Sequence, residues 1–543
     1  MSTSTGDPTR RGFLYGLAGV GAGAALGGCT TGSAPAHATA SASHSVGTPV
    51  ARSTPTTTRP SPAASLASLS RELSSPLLRP GSVGYDAAAR LYNPRFDRNA
   101  RPAAIARCAS VADVAACVRF AAGGAGAAGP GQPLRLRAGG HSYGGWSTGP
   151  GLVADVRAMS SVVLDRTART ARIGAGAKLA AVYAALGAAG VAIAAGSCPT
   201  VGLTGLTLGG GVGVLTRAYG LTCDALRAAE VVTADGRIRE VGPGRDGELF
   251  WALQGGGGGS FGAVTALTLA VRPAPTVHTF FLSWDLAQAD AVLPAWQQWM
   301  STADDRLWST CKLLVDPGRQ SRKASVSGTW IGAASSLQAT LQPLLSAVGA
   351  PPRTRQVGTS DYAAAMLAEA GCSGQDTAQC IAQALSPAGR QPFAATSAFL
   401  NSALPAAGIT AAVQAVLRGM DVGGLVEGGM SFDALGGAVS AVAPGATAFA
   451  YRQALASIQY TATWAAPTGG AQPADPAPYD RYVQALRSAL LPWTGPAAYV
   501  NYADPAIADY GAAYWAGNYP RLQAAKKTYD PGGLFTFPQA VHA

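Results

Sequence analysis

From about Asn99 onward, short β-like apolar runs alternate with alanine-rich stretches of helical period. AAIARCAS predicts a strand, and Val111 to Ala122 a helix entered through Ser110, with Asp113 at N3 completing a capping pattern. LRLRAGG predicts a strand running into a glycine turn, and ARIGAG predicts another that feeds the helix KLAAVYAALGAAG. The most glycine-dense segment, Gly196 to Gly213, comes next, followed by strands around AEVVTADG and AVTALTLAVR. Strand–helix alternation of this kind marks an α+β or α/β domain. Past Pro273 the texture changes. Strand candidates HTFFLSW, CKLLVD, ASVSGTWIG, GLVEGGMSFDALGG and TAFAYRQALASIQYTATW are separated by long amphipathic helices such as Leu282 to Met300. That pattern predicts an antiparallel sheet with helices on one face. The final stretch returns to aromatic-rich loops plus one helix ending at Tyr529-Asp530-Pro531-Gly532-Gly533.

The first residues read as an address. Thr9-Arg10-Arg11-Gly12-Phe13-Leu14 is a twin-arginine pattern, followed by a small-residue apolar run too short and glycine-rich for a membrane span. The run ends in Leu26-Gly27-Gly28-Cys29, which has the form of a lipobox, so the chain is expected to be exported and tethered at the surface through lipidated Cys29. Residues 30–76 are Ser/Thr/Ala/Pro-rich without apolar periodicity and read as a disordered tether, with folded structure expected from near Leu77. Among 543 residues, 13% are charged and 48% hydrophobic, which permits a large core. The net charge of +11 comes mainly from scattered arginines; a nucleic-acid face would need them clustered with aromatics, so no nucleic-acid partner is expected. Export permits disulfides. Cys372 and Cys380 bracket GCSGQDTAQC and are the expected pair; Cys108, Cys117, Cys223 and Cys311 read as buried thiols.

Three familiar chemistries fit poorly. The glycine runs 209–213 and 255–262 lack the strand-before, helix-after context and the following acid of a dinucleotide-binding turn. Gly258-Gly259-Ser260-Phe261-Gly262 matches a hydrolase nucleophile elbow, but only His278 and His542 follow Ser260 as bases. Of five histidines, His37 and His44 lie in the tether, and there is no CxxC, HxH or HExxH spacing, so no metal is expected.

His141 alone sits in a structured, glycine-flanked motif, Arg137-Ala138-Gly139-Gly140-His141-Ser142-Tyr143. Some 57 residues on comes Gly196-Ser197-Cys198-Pro199-Thr200-Val201-Gly202, then Gly205, Leu208-Gly209-Gly210-Gly211 and Tyr219-Gly220-Leu221-Thr222-Cys223-Asp224. LFWALQ (249–254), FGAVT (261–265), Tyr499-Val500-Asn501-Tyr502, Asn518-Tyr519-Pro520-Arg521-Leu522 and Phe537-Pro538-Gln539 complete the set. Together these resemble the berberine-bridge-enzyme-like family of FAD-linked oxidases, in the vanillyl-alcohol-oxidase superfamily, over roughly 95–275 and 430–543; the likeness is faint between 280 and 425. Thr204-Gly205-Leu206 departs from the plant pattern and points to the bacterial branch.

The resemblance implies an α+β fold with a bipartite FAD-binding domain, residues 77–275 completed by 491–543, and a middle substrate domain, residues 276–490. It implies FAD bonded at two points, to His141 and Cys198, which makes the ring a better electron acceptor. Arg137, Ala138, Gly139, Gly140, Ser142, Tyr143, Val201, Gly202, Gly205, Leu208, Gly209, Gly210, Val264 and Asn501 are the further cofactor contacts it implies. Val201 goes with reaction toward O2 in the family, hence an oxidase releasing H2O2 rather than an O2-insensitive dehydrogenase. Removing a hydroxyl proton while hydride leaves carbon needs a base. The resemblance maps it to Tyr499, with Tyr502 the rival; Asp433, or alternatively Glu427, is the second acid, and Arg452 the cation beside the phenolate. The expected substrate is an alcohol or hemiacetal of carbohydrate type. A secondary metabolite, a serine hydrolase on Ser260 and a flavoprotein that binds without turnover are the alternatives.

Overall fold

The computed structural model describes residues 62–98, 101–123, 133–466 and 474–543; the twin-arginine segment and Cys29 lie outside them. Order begins earlier than Leu77. Helix α1 (Pro62–Glu72) buries Leu69 at 1% exposure in the first core, and Ser74 beyond it donates backbone and hydroxyl hydrogen bonds to Asp113, both 2.7 Å. A stretch without visible periodicity is thus recruited by tertiary contacts that its composition does not reveal.

The expected cofactor half has two main sheets and a two-stranded pair, Val191–Ala192 with Arg272–Pro273. Strands β1 (Ala104–Arg107), β2 (Leu134–Arg137) and β3 (Leu152–Asp155) form a parallel sheet in the order β1-β3-β2. Ala104, Ile105 and Ala106 are all fully buried, as parallel strands covered on both faces require. Helix α2 (Val111–Ala121) starts at the expected Ser110–Asp113 capping box. Strands β4 (Val162–Asp165), β5 (Thr170–Gly174), β6 (Leu226–Val232), β7 (Ile238–Val241) and β8 (Ala263–Ala270) form an antiparallel sheet, β4-β5-β8-β6-β7. Helix α3 (Leu179–Ala188) and the C-terminal elements, including α4 (Tyr519–Tyr529), close this core.

The middle half is one antiparallel sheet of seven strands. In chain order these are β9 (Val277–Asp285), β10 (Leu307–Asp316), β11 (Ser321–Trp330), β12 (Thr354–Ser360), β13 (Phe393–Leu400), β14 (Leu425–Ala434) and β15 (Ala456–Trp464), arranged β12-β9-β11-β10-β14-β15-β13. Helices Ala289–Thr302, Leu337–Val348, Ala406–Leu417 and Ala477–Thr494 cover one face with a continuous apolar core. The expected helix Leu282 to Met300 is therefore corrected: residues 277–285 alternate as a strand, Asp285 caps the short turn Leu286–Gln288, and the helix starts at Ala289. The expected strand 447–464 begins only at Ala456, because Phe449 N–H donates to the Gln254 carbonyl and Arg452 is captured by Asp224. Helix Ala477–Thr494 runs past the expected boundary at 490, since Leu486 and Leu490 belong to the middle core. Strands β12 and β13 were not foreseen.

The other sheet face is polar, and period-2 alternation makes it so. Along β10, Leu307, Cys311, Leu313 and Val315 enter the helix-side core, whereas Trp308, Thr310, Lys312, Leu314 and Asp316 face a cavity. Ser431, Asp433 and Glu427 on β14, and Gln459, Thr461 and Thr463 on β15, continue that face. In register, Thr310 stands opposite Asp433, and Lys312 opposite Ser431, which is opposite Gln459.

Candidate active site

The cavity, about 650 Å³, lies between the polar sheet face, the glycine loops of the cofactor half and the C-terminal segment. A fourth wall comes from the helical hairpin Tyr362–Glu369 and Thr377–Leu385, stapled by the Cys372–Cys380 disulfide and packed on α3. The remaining cysteines among the described residues are free thiols.

The two motif loops meet backbone to backbone. A Cβ on Gly139 would lie 2.2 Å from the Gly202 nitrogen, so no side chain fits between the loops that carry His141 and Cys198. At Gly205 and Gly258 the opposite holds: a Cβ would meet no protein atom closer than 3.8 Å, and both residues line the cavity. Protein packing does not demand glycine there; a ligand pressed against the backbone does. A dinucleotide pyrophosphate, held by main-chain N–H groups, fits that cradle. Arg137 supports the floor, fully buried beside Asp155 with Nε donating to the Ser147 carbonyl at 3.0 Å, while its Nη2 has no hydrogen-bond partner among the described residues.

His141 stacks on Tyr92 at 3.8 Å between ring centroids, and its Nε2 lies 2.9 Å from the Thr200 hydroxyl. Burial, with Lys178 assisting, lowers its pKa to about 3, so the imidazole is neutral. Cys198 is a half-buried thiol raised by burial and lowered by Lys312. Tyr143 receives a hydrogen bond from Gln459 and stacks on Tyr502 at 5.2 Å. Burial, then Asp433, pushes the Tyr502 hydroxyl well above its ordinary range. Asp433 itself is raised by burial, against Lys312 and the Thr310 hydroxyl.

Of the expected contacts, Arg137, Ala138, Gly139, Gly140, His141, Ser142, Tyr143, Cys198, Val201, Gly202, Gly205, Leu208, Val264, Asn501, Tyr502 and Asp433 line the cavity, as does Glu427. Gly209, Gly210 and Tyr499 do not. The space beside Gly209 is filled by the Asn501 side chain and that beside Gly210 by Phe449. The expected assignment of the base to Tyr499 is corrected. Its hydroxyl is enclosed by N–H groups of Gly211 (2.9 Å), Val212 (3.2 Å) and the Asn501 amide (2.8 Å), and no face of it reaches the cavity. Arg452 is corrected as well: its guanidinium grips both Asp224 carboxylate oxygens at 2.8 and 2.7 Å. Ser260 is 1% exposed, its hydroxyl accepting from Val541 N–H. His278 is bonded to Thr359 and His542 packs on Tyr510, so neither serves Ser260 as a base.

Sequence reasoning missed Tyr92, Trp308, Lys312, Glu369 and Gln459, all on the cavity wall. The alternation of β10 held the signal for Trp308 and Lys312, polar or amphipathic side chains where a buried face would be apolar. Glu369 and Tyr92 come from loops and helix ends whose placement only the tertiary fold decides.

The family model "FAD binding domain" matches residues 102–242, and the model "Berberine and berberine like" matches residues 498–542. The chain is 33% identical over 416 residues to the FAD-linked oxidoreductase YgaK of Bacillus subtilis, covering 75% of this chain and 85% of that relative. It is 31% identical over 480 residues to a chitooligosaccharide oxidase of Gibberella zeae, covering 85% and 91% respectively. Among solved structures, BBE-like 1 of Physcomitrella patens superposes with a TM-score of 0.77 at 28% identity, over 88% of this chain and 98% of that one. With its glycine cradle, paired His141 and Cys198 loops and bipartite cofactor half, the chain belongs to the berberine-bridge-enzyme-like family of FAD-linked oxidoreductases.

Proposed function

We propose that this protein holds FAD through bonds to His141 and Cys198 and oxidises a carbohydrate alcohol or hemiacetal, passing the electrons to O2 as H2O2. The carrying observation is the pairing of a glycine cradle on one wall with a hydrogen-bonding sheet face on the other. A face bearing Thr310, Lys312, Ser431, Asp433, Gln459, Thr461 and Thr463 suits a substrate dense in hydroxyls. The chitooligosaccharide oxidase among the relatives supports the same class.

A neutral His141, with Nε2 engaged by Thr200, leaves Nδ1 as the nitrogen for covalent attachment. Gly139, Gly140, Gly202, Gly205 and Gly258 would hold the pyrophosphate, Val264 and Leu208 the apolar ring edges, and Asn501 fixes the loop after Leu206 by donating to its carbonyl at 2.9 Å. When bound, the flavin supplies the hydride acceptor. The protein supplies the proton path. Tyr502 Oη takes the substrate hydroxyl proton as its own proton passes to the Asp433 carboxylate, whose proton affinity burial raises. Gln459, donating to Tyr143, and Tyr143, stacked on Tyr502, orient the substrate beside that pair. Val201, lining the cavity three residues beyond Cys198, leaves room for O2. The twin-arginine and lipobox patterns support action outside the cytoplasm, on substrates met at the cell surface.

Purified protein assayed for peroxide against oligosaccharides and aromatic alcohols tests this reading. Turnover of sugars is the expected result. Activity confined to aromatic alcohols would contradict the substrate class, and oxidation without peroxide would contradict the oxidase assignment.

A further inference from the structure

His141 is held by more than its own loop. Gly140 before it takes a φ of 73°, a left-handed turn that a side chain resists, although the nearest atom to a Cβ there would be 3.7 Å away. Past that turn the imidazole lies flat against the Tyr92 ring, with 3.8 Å between centroids and 17° between planes, while Nε2 lies 2.9 Å from the Thr200 hydroxyl. The two contacts restrain different motions. A hydrogen bond at one edge leaves an imidazole free to swing about that edge, because the terminal torsion of histidine is soft. A parallel ring against the face stops the swing.

Tyr92 is itself fastened on two sides. Its N–H donates to the Gly140 carbonyl at 3.1 Å, so the stacked rings stand on hydrogen-bonded backbones. Arg390 donates to the Tyr92 carbonyl at 3.3 Å, to the Leu91 carbonyl and to Asp97 at 2.7 Å, and Asp97 in turn accepts from Leu91 N–H at 3.1 Å. One residue on, Asn93 donates to the Phe393 carbonyl at 2.9 Å, and Arg95 grips both oxygens of Asp480 at 3.0 and 2.8 Å. Arg390, Phe393 and Asp480 all lie in the middle stretch of the chain, which thereby sets the position of a ring lying against His141. Tyr92 is half-buried and lines the cavity, and its hydroxyl makes no hydrogen bond among the described residues. What Tyr92 contributes is its face.

Resting on the two-point attachment read above, we propose that Tyr92 is a positioning residue for that attachment: its ring face and the Thr200 hydroxyl together aim His141 Nδ1 at the flavin. In the tautomer whose Nε2–H donates to Thr200, the lone pair is on Nδ1. Attachment forms one N–C bond from Nδ1 to a methyl carbon of the flavin, while one methyl C–H and the imidazole N–H break. The two electrons and two protons released reduce the ring, and O2 reoxidises it with H2O2 as product. Such a step depends on orientation, and a misplacement of about 1 Å can cost on the order of a hundredfold in rate. Cys198 sits on the other loop, and no hydrogen bond joins it to Tyr92 among the described residues, so its own bond does not draw on the stack.

The test expresses full-length Tyr92→Phe, Tyr92→Leu and Tyr92→Gln beside the parent and samples flavin-bearing chains at fixed times after induction. Intact mass and peptide mapping give the share of those chains bonded at His141 and the share bonded at Cys198. Both shares are read within flavin-bearing protein, so folding yield does not enter. Tyr92→Phe keeps the face and should match the parent. Tyr92→Leu and Tyr92→Gln should slow the His141 bond by about tenfold or more, while the Cys198 bond forms as in the parent. In a Cys198→Ala background, Tyr92→Leu should then release its flavin on acid unfolding at early times, whereas Cys198→Ala alone retains it. A His141 bond formed at the parental rate in Tyr92→Leu and Tyr92→Gln overturns the inference and leaves double attachment standing. A Tyr92→Phe as slow as Tyr92→Leu also overturns it, by assigning the effect to the hydroxyl, as does equal slowing of both bonds, the sign of a general disturbance of the site. A parent without the His141 bond overturns the attachment reading itself.

Discussion

Burial raises the hydroxyls of both Tyr499 and Tyr502, but their neighbours give them different tasks. Tyr499 accepts from two backbone N–H groups and an amide, tying the glycine loop to the C-terminal segment. Tyr502 shares the cavity with Asp433 and Tyr143. Tyr502→Phe should lower kcat by roughly 10²–10⁴-fold, the range of a lost acid–base group, with flavin still bound; stopped-flow reduction checks it. Tyr499→Phe leaves buried donors without their acceptor and should cost about 1–3 kcal/mol of stability in chemical denaturation, while kcat per bound flavin changes far less. Equal losses of kcat in the two variants would contradict the division of roles between Tyr499 and Tyr502. Both tyrosines were legible as a pair in the YxNY spacing. Which one faces the cavity was not, because the two rings touch edge to face at 5.0 Å and only long-range partners, the Gly211 and Val212 N–H groups on Tyr499, tell them apart.

Among elements, the legible ones were those whose local pattern agrees with their burial. Helix α2 announced itself through Ser110 and Asp113, and the structure closes both arms of that box. Ser110→Ala should destabilise by about 1 kcal/mol, read as a shift in the urea midpoint. Segment 447–455 carries β-forming residues yet is held as a loop by long-range partners: Arg452 on Asp224, and Phe449 against the space beside Gly210. Arg452→Met strands a carboxylate in the interface between the two halves and should cost about 3 kcal/mol or more by the same measurement, with flavin content falling alongside. Strand β13 was hidden by its small residues, FAATSAFL, whose alternation is weak until a neighbouring strand defines its faces.

At the scale of the molecule, the two buried titrations oppose each other. His141 falls from 6.5 to about 3 on folding, so the unfolded chain binds more protons between those values. Stability of the flavin-free protein should therefore decline as pH drops from 6.5 toward 3, with no contribution from this group above 6.5. Glu369 rises from 4.5 to about 7, so the native state binds more protons in that window and its share of stability is lost as pH climbs through 7. Glu369→Gln should accordingly melt higher than the parent above pH 7, and similarly to it below 4.5; thermal melts across pH decide. The passage from the five-stranded to the seven-stranded sheet was readable from the change of texture at Pro273. The chemistry of the roof was not, because it emerges only when β10, β14 and β15 are laid side by side.

Everything in the proposed chemistry presupposes the flavin's two attachments. Intact-mass analysis of the native purified protein, followed by peptide mapping, addresses them together. The account predicts polypeptide plus one FAD, surviving acid unfolding, with the peptides containing His141 and Cys198 joined through the isoalloxazine. Bare polypeptide mass, or a flavin released on unfolding, would contradict it.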